Sequence, residues 1–156
     1  MPPYQPLLVR NASYERIQVR CVLRLARGEP AGERLRELNQ SLRDYLSPWR
    51  PGGIATQFDW QLRADDVEAF LRDQPGVDEI GRVSLLHIVA SDQGLYRLAD
   101  TARGDRVVRP AQAWSLPLPT RGHLLELADR PTPQALPSGL SKLTIASSFI
   151  VGRDAA

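Results

Sequence analysis

The strongest constraint on the fold is an alternating segment near the N-terminus, which reads Tyr-Glu-Arg-Ile-Gln-Val-Arg-Cys-Val-Leu-Arg-Leu over residues 14–25. Apolar residues at every second position share one side of an extended chain, because side chains of a β-strand point alternately to opposite faces. The pattern predicts a half-buried strand. Its other side is an arginine face, formed by Arg16, Arg20 and Arg24, that is expected to meet solvent or a partner.

Two helical patterns follow this strand. Leucines recur at spacings of three and four between residues 35 and 46, and this helix should end before Pro48, because the residue preceding a proline avoids the helical conformation. A shorter apolar stripe over residues 67–71 predicts a second helix, with Asp65 or Asp66 as its expected N-cap.

The remaining patterns complete an α+β prediction: a small mixed sheet with two helices packed on one face (β-α-β-α-β), followed by a β-rich C-terminal annex. Residues 77–90 are apolar on both sides, which is typical of a central strand. Residues 54–62 suit a short strand or an extended docking segment. The predicted divisions are an extended N-terminal arm (1–13), an α+β domain (14–90) and the annex (91–156), with strands at 114–119, 123–127 and 143–151.

Composition narrows the classes of function. The 156 residues contain one cysteine, no apolar run long enough to span a membrane, and no signal-peptide pattern at the start, so a cytosolic protein without disulfides is expected. The formal net charge is only +2, and the arginines are interleaved with acidic residues. This balance argues against a nucleic-acid-binding face.

The sequence contains no recognisable catalytic or metal-binding pattern. His87 lies in an apolar strand and is interpreted as a structural histidine, whereas His123 follows a turn and is assigned to surface or packing. Cys21 reads as a buried small hydrophobe, and the pair Asp65-Asp66 suits a helix start better than acid–base chemistry. No catalytic residue, metal or cofactor is therefore predicted, and the chain is not expected to be an enzyme.

Interaction with other proteins is the function class that remains. Three tryptophans, at positions 49, 60 and 114, lie at or next to predicted loops. Tryptophan and arginine are the residues that most often anchor protein interfaces, although a tryptophan at a loop can equally fill the local core. The candidate contact residues are Arg16, Arg20, Arg24, Trp49 and Trp60.

Several segments, in order, resemble the C-terminal part of baseplate J-like proteins. These proteins are wedge components of contractile phage tails and of phage-tail-like injection systems. The likeness spans about residues 10 to 151, and Asp59 stands where a Phe-Gly type of turn is expected in that family. The segments are Tyr-Glu-Arg-Ile-Gln-Val-Arg-Cys at 14–21, a helix ending in Leu-Ser-Pro-Trp at 46–49, Phe-Asp-Trp at 58–60, Gln-Pro-Gly-Val-Asp at 74–78, Trp-Ser-Leu at 114–116 with Gly-His at 122–123, and Gly-Leu-Ser-Lys-Leu-Thr-Ile at 139–145 leading to Phe-Ile-Val at 149–151.

The resemblance implies a structural role in a baseplate. Its expected partners are other wedge subunits, the spike or hub, and sheath or tube proteins, within a particle assembled in the cytoplasm of the producing bacterium and released from it in some systems. Members of the family are usually several times longer, so the chain is expected to be a C-terminal module or a piece of a longer subunit. The alternative is a small stand-alone adaptor domain that binds one protein outside any particle.

Overall fold

A computed structural model describes residues 9–55, 57–91, 93–102, 104–129, 131 and 148–152, the last five through their backbone alone. Two predicted segments fall partly outside the described residues: the arm at residues 1–8 and the last strand at residues 143–147. In chain order the elements are β1 (Ser13–Leu25), α1 (Ala31–Tyr45), β2 (Leu62–Arg63), α2 (Ala64–Arg72), β3 (Val77–Ile80), β4 (Ser84–Ala90), β5 (Leu95–Asp100), β6 (Val107–Val108), β7 (Ser115–Pro119), β8 (Leu124–Leu127) and β9 (Ser148–Gly152).

Strand β1 is the centre of a mixed, mostly antiparallel sheet that holds seven of the described strands. Its alternation has the predicted consequence: Ile17, Val19, Cys21 and Leu23 are fully buried. Both helices contribute to the same core, α1 through Leu38 and Leu42 and α2 through Val67 and Leu71. The α+β class predicted from the sequence is confirmed, and the apolar face of β1 is the one that meets the helices.

Each edge of β1 is occupied by two strands placed end to end. Antiparallel β4 pairs with its first half and antiparallel β3 with its end. Parallel β7 and β8 pair with the same two parts along the other edge. The segment 77–90, predicted as one strand, is thus two strands interrupted around Gly81, whose N–H still donates to the Val22 carbonyl. Strand β4 lies between β1 and β5, which confirms the central position expected from its two apolar faces.

The residues after position 90 extend the same sheet. Strand β5 forms a hairpin with β4, and β9 pairs with β5, so the division placed at residue 90 falls at a hairpin inside one sheet. The expected strands at 114–119 and 123–127 are present as β7 and β8. Thr120 donates its backbone N–H to the Ile17 carbonyl. Because the N–H groups of a strand point alternately to its two sides, positions 117 and 119 face away from β1. Pro117 and Pro119 therefore lack an N–H where the sheet needs none.

Two local expectations are corrected. Among the described residues of the segment 54–62, only Leu62 belongs to a strand, the two-residue β2 that pairs with β6, because a turn at residues 58–59 interrupts the extended chain. Helix α2 begins at Ala64 with Arg63 at its N-cap, so Asp65 and Asp66 lie in its first turn and do not cap it. Asp65 accepts a hydrogen bond from Arg106 at 2.7 Å instead.

Candidate protein-interaction surface

The three arginines of the arginine face occupy three different environments. Arg16 is exposed, and Arg24 is partly exposed, with its guanidinium within 2.8 Å of Asp78 and 3.0 Å of Glu79. Arg20 is only 1% exposed. The regular spacing that groups these residues in the sequence therefore does not produce a uniform basic surface.

Arg20 is held inside the sheet by acceptors from two neighbouring strands. Its guanidinium pairs with the carboxylate of Asp100 and donates to the Ser84 hydroxyl at 2.7 Å. Burial alone would raise the pKa of Asp100, but hydrogen bonds from Arg20, Ser84 and the backbone N–H of Ala102 outweigh it and lower that pKa. Arg20 therefore links β1, β4 and β5, and in this chain its side chain is not available at the surface.

The two candidate tryptophans, like the arginines, differ in their exposure to solvent. Trp60 is 2% exposed and donates its indole N–H to the Ser115 carbonyl at 3.0 Å, so it belongs to the core. Trp49 is 58% exposed and follows α1 in a tight turn. That turn is closed at Gly53, where a Cβ would lie 2.0 Å from the Ser47 carbonyl oxygen. Of the two predicted contact tryptophans, Trp49 is the one at the surface.

The histidines are structural in their contacts. His87 Nε2 lies 2.6 Å from the Glu15 carboxylate, which also accepts the backbone N–H of Ala111. Burial would raise the pKa of Glu15, but its hydrogen bonds with His87 and Ala111 lower it. A cleft of about 380 Å³ opens beside His87, and a salt bridge between Arg109 and Asp105 lies on its lining.

His123 is also buried, in agreement with its assignment to packing. Its Nδ1 accepts the backbone N–H of Val19 at 3.0 Å, and its own N–H donates to Asn39 of α1 at 2.7 Å. Burial lowers the pKa of His123 to about 4, with a further contribution from the positive charge of Arg43. The ring is therefore neutral at physiological pH. It accepts the hydrogen bond from β1, while the backbone N–H of the same residue, just before β8, makes the bond to α1.

The described residues contain no cluster of three His, Cys, Asp or Glu side chains that could hold a metal ion. Cys21 is fully buried, and burial raises the pKa of its thiol to about 12. Neither described helix is long and apolar enough to cross a bilayer.

The surface feature that sequence reasoning missed is an aromatic groove, which we define by Ala12, Phe58, Trp114 and Leu116. It has a volume of about 430 Å³. Phe58 is 79% exposed and Trp114 is 38% exposed, and Tyr14 stands next to Leu116 on the neighbouring strand. The guanidinium of Arg10 lies 5.0 Å from the centre of the Trp114 ring, a cation–π distance.

A turn fixes the outward position of Phe58. Asp59 has φ of 56°, in the left-handed region that favours glycine, and its N–H donates to the Ala113 carbonyl at 3.3 Å. Trp60 then enters the core. The only sequence signal for this geometry is the position of Asp59 where a Phe-Gly type of turn is expected from the baseplate resemblance, since aspartate tolerates the left-handed region better than most residues do.

Comparison with protein-family models and with curated proteins found no match for this chain. The functional argument therefore rests on the resemblance described above and on the geometry of the groove and the exposed contact residues.

Proposed function

We propose that the chain is a non-enzymatic structural subunit, a baseplate wedge component of a phage-tail-like contractile injection system. In this role it joins other wedge subunits around the spike or hub and connects them to sheath or tube proteins. It would act in the cytoplasm of the producing bacterium as part of the assembled particle, without a cofactor and without binding nucleic acid. The resemblance of residues 10–151 to baseplate J-like proteins supports a role in a baseplate. The exposed aromatic and arginine side chains support binding to other proteins as the way in which the chain acts.

The observation that carries the proposal is the aromatic groove. Folded proteins rarely leave large apolar side chains clustered at the surface unless a partner covers them. Phe58 and Trp114 are the type of residue that dominates binding energy at interfaces, and Arg10 adds a charged group that is already in contact with one of them.

Trp49 and Arg16 are secondary contact candidates. Trp49 is exposed on a rigid turn, which lowers the conformational entropy lost when a partner covers it. Arg16 is exposed near the N-terminal end of β1, and no partner for its side chain is found among the described groups. Arg20 and Trp60 are not included, because both are buried within the chain.

The proposal is tested by affinity purification of the tagged chain from its native host, with mass spectrometry and negative-stain imaging. Co-purification of sheath, tube and spike proteins with rod-shaped particles is the expected result. Recovery of the chain alone, or with one unrelated protein, would overturn the baseplate role and favour the stand-alone adaptor.

A variant series identifies the surfaces in use. Phe58→Ser should reduce incorporation into particles strongly, and Arg16→Glu should reduce it moderately. Arg27→Glu is the matched control, because Arg27 is an exposed arginine that follows β1 at its far end. Equal incorporation of all three variants would show that neither the groove nor Arg16 carries assembly.

A further inference from the structure

The aromatic groove has the chemistry of a site for an extended, proline-rich segment. Its lining combines two aromatic rings with small and aliphatic side chains, Ala12 and Leu116, in an open trough. Proline-rich segments dock in aromatic-lined grooves because their polyproline II conformation is preformed and loses little entropy on binding.

We propose that the occupant is the proline-rich arm, residues 2–8, of a second copy of this chain. The arm reads Pro-Pro-Tyr-Gln-Pro-Leu-Leu, with three prolines in seven residues, a tyrosine and two leucines, and it carries no charged side chain. Its apolar and aromatic groups match the groove, whereas a charged segment would lose hydration at Phe58 without gaining a partner.

The described residues next to the groove are consistent with exchange of the arm between copies. The chain passes the rim of the groove at Arg10, and Val9 is 83% exposed. Between Pro6 and Arg10 there is no glycine, asparagine, aspartate or serine to reverse the chain direction. In the polyproline II conformation, seven residues would span about 22 Å, which is long enough to reach the groove of a neighbouring copy.

Each copy then offers one arm and one groove to its neighbours. Such a head-to-tail arrangement repeats from copy to copy and closes into a ring when the rotation between copies allows it. The inference rests on the proposed assembly role and deepens it by naming one occupant of the groove. It concerns the purified chain alone. The arm can therefore fail to bind while particle proteins still co-purify with the chain, or the arm can bind although no particle is recovered.

The test uses the full chain, a variant lacking residues 2–8, and a synthetic peptide of residues 1–9. The peptide contains no tryptophan, so a change in tryptophan emission on titration reports the protein side of the complex. We expect saturable binding of the peptide to the shortened chain at concentrations up to about 1 mM. Phe58→Ser should weaken that binding by at least about tenfold. Sedimentation of the full chain should show association that increases with concentration and is lost in the shortened chain.

Matched controls separate binding from folding. Leu127→Ser removes an apolar side chain that is 38% exposed and lies outside the groove, so it should leave peptide binding unchanged, and thermal unfolding should show that both substituted chains remain folded. A peptide with its prolines replaced by alanine should bind more weakly. The absence of peptide binding, or equal binding by Phe58→Ser, would overturn the groove as the site. A full chain that stays monomeric at every concentration while the peptide binds would show that each arm occupies its own groove, which overturns the second copy as occupant.

Discussion

The interior of the sheet and the aromatic groove reverse the usual distribution of side chains. The interior contains polar and ionisable groups, Arg20 with Asp100 and Glu15 with His87, whereas the groove exposes Phe58 and Trp114 to solvent. The two regions are adjacent along the chain, since β1 carries Glu15 and Arg20, and Ala12, which lines the groove, directly precedes β1.

The sheet interior and the aromatic groove differ in whether the chain itself provides contacts for the side chains that are out of place. Each buried charge has an oppositely charged or hydrogen-bonding neighbour on another strand, and a buried charge is tolerated only under that condition. Within the described part of the chain, no side chain buries Phe58 in this way. Burial of a phenylalanine side chain is worth about 1.5–3 kcal/mol, and at Phe58 most of this stabilisation is available to a binding partner.

The largest effect is expected when the interior loses one partner of its charge pair. Asp100→Ala should lower the free energy of unfolding by about 3–5 kcal/mol, because Arg20 would then remain buried and uncompensated. Urea unfolding followed by circular dichroism measures the change.

Asp78→Ala is the matched surface control, since it removes a carboxylate from the exposed ion pair of Arg24. Its expected cost is below about 1 kcal/mol. Similar costs for the two variants would contradict the view that the Arg20 pair is structurally important.

The second effect is a pH dependence carried by His123. In the folded chain its pKa is lowered to about 4, from an ordinary value of 6.5, so the unfolded state binds the proton more readily. The stability from this group is therefore complete above pH 6.5 and decreases as the pH falls toward 4. This difference in the pKa of His123 between the folded and unfolded states corresponds to about 3 kcal/mol in the free energy of unfolding.

His123→Asn isolates this contribution, because its carbonyl can accept the Val19 N–H in place of Nδ1 while the titrating ring is gone. Urea midpoints measured across this pH range should fall steeply in the parent chain and remain nearly level in the variant. Any further loss in both chains below about pH 4 is expected from Asp100 and Glu15, whose folded-state pKa values are lowered and whose stabilisation disappears as they are protonated. Parallel curves for the two chains between pH 6.5 and 4 would contradict the role of His123.

The sequence predicted the parts of the fold that depend on local periodicity. The alternation in β1 and the leucine stripe of α1 each specify which side chains are buried, so these elements, the α+β class and the positions of β7 and β8 followed from pattern alone. The shared sheet did not follow, because the pairing of β7 and β8 in parallel with a strand 100 residues earlier is a long-range property. The break at Gly81 was missed although the pattern changes there, from the acidic, partly exposed β3 to the apolar, largely buried β4, with a glycine between them.

The candidate surface was less predictable than the fold. Periodicity placed Arg16, Arg20 and Arg24 on one side of a strand, but it does not show that Asp100 and Ser84 arrive from other strands to bury Arg20. Composition identified Trp49 and Trp60 as equivalent anchors, and only the tertiary structure shows one outside and one inside. Whether an aromatic residue near a loop faces in or out depends on backbone turns of one or two residues, which hydrophobicity does not encode.

The third prediction compares those two tryptophans. Trp60→Phe should lower the free energy of unfolding by about 1–3 kcal/mol, since the Ser115 carbonyl loses its hydrogen bond in a buried position. Trp49→Phe should change it by less than about 0.5 kcal/mol, as for other surface substitutions. Thermal melts of the two variants at equal concentration provide the measurement, and a larger loss for Trp49→Phe would reverse the assignment of inside and outside.

The smallest effect is expected at Asp59, the residue that separates the two regions by directing Phe58 outward and Trp60 inward. Because Asp59 has φ of 56°, glycine can replace it without backbone strain, and this gain is offset by the greater freedom of glycine in the unfolded chain. Asp59→Gly should therefore change stability by less than about 1 kcal/mol, whereas Asp59→Val should cost about 1–2 kcal/mol, because a branched side chain is strained in the left-handed region. Urea unfolding gives both values. If Asp59→Gly were as costly as Asp59→Val, the turn would depend on an interaction of the aspartate side chain, and its geometry could not be equated with the Phe-Gly turn of baseplate J-like proteins. If glycine is accepted and valine is not, the requirement is the backbone conformation itself, and this one residue determines which neighbouring aromatic stabilises the fold and which remains free to bind.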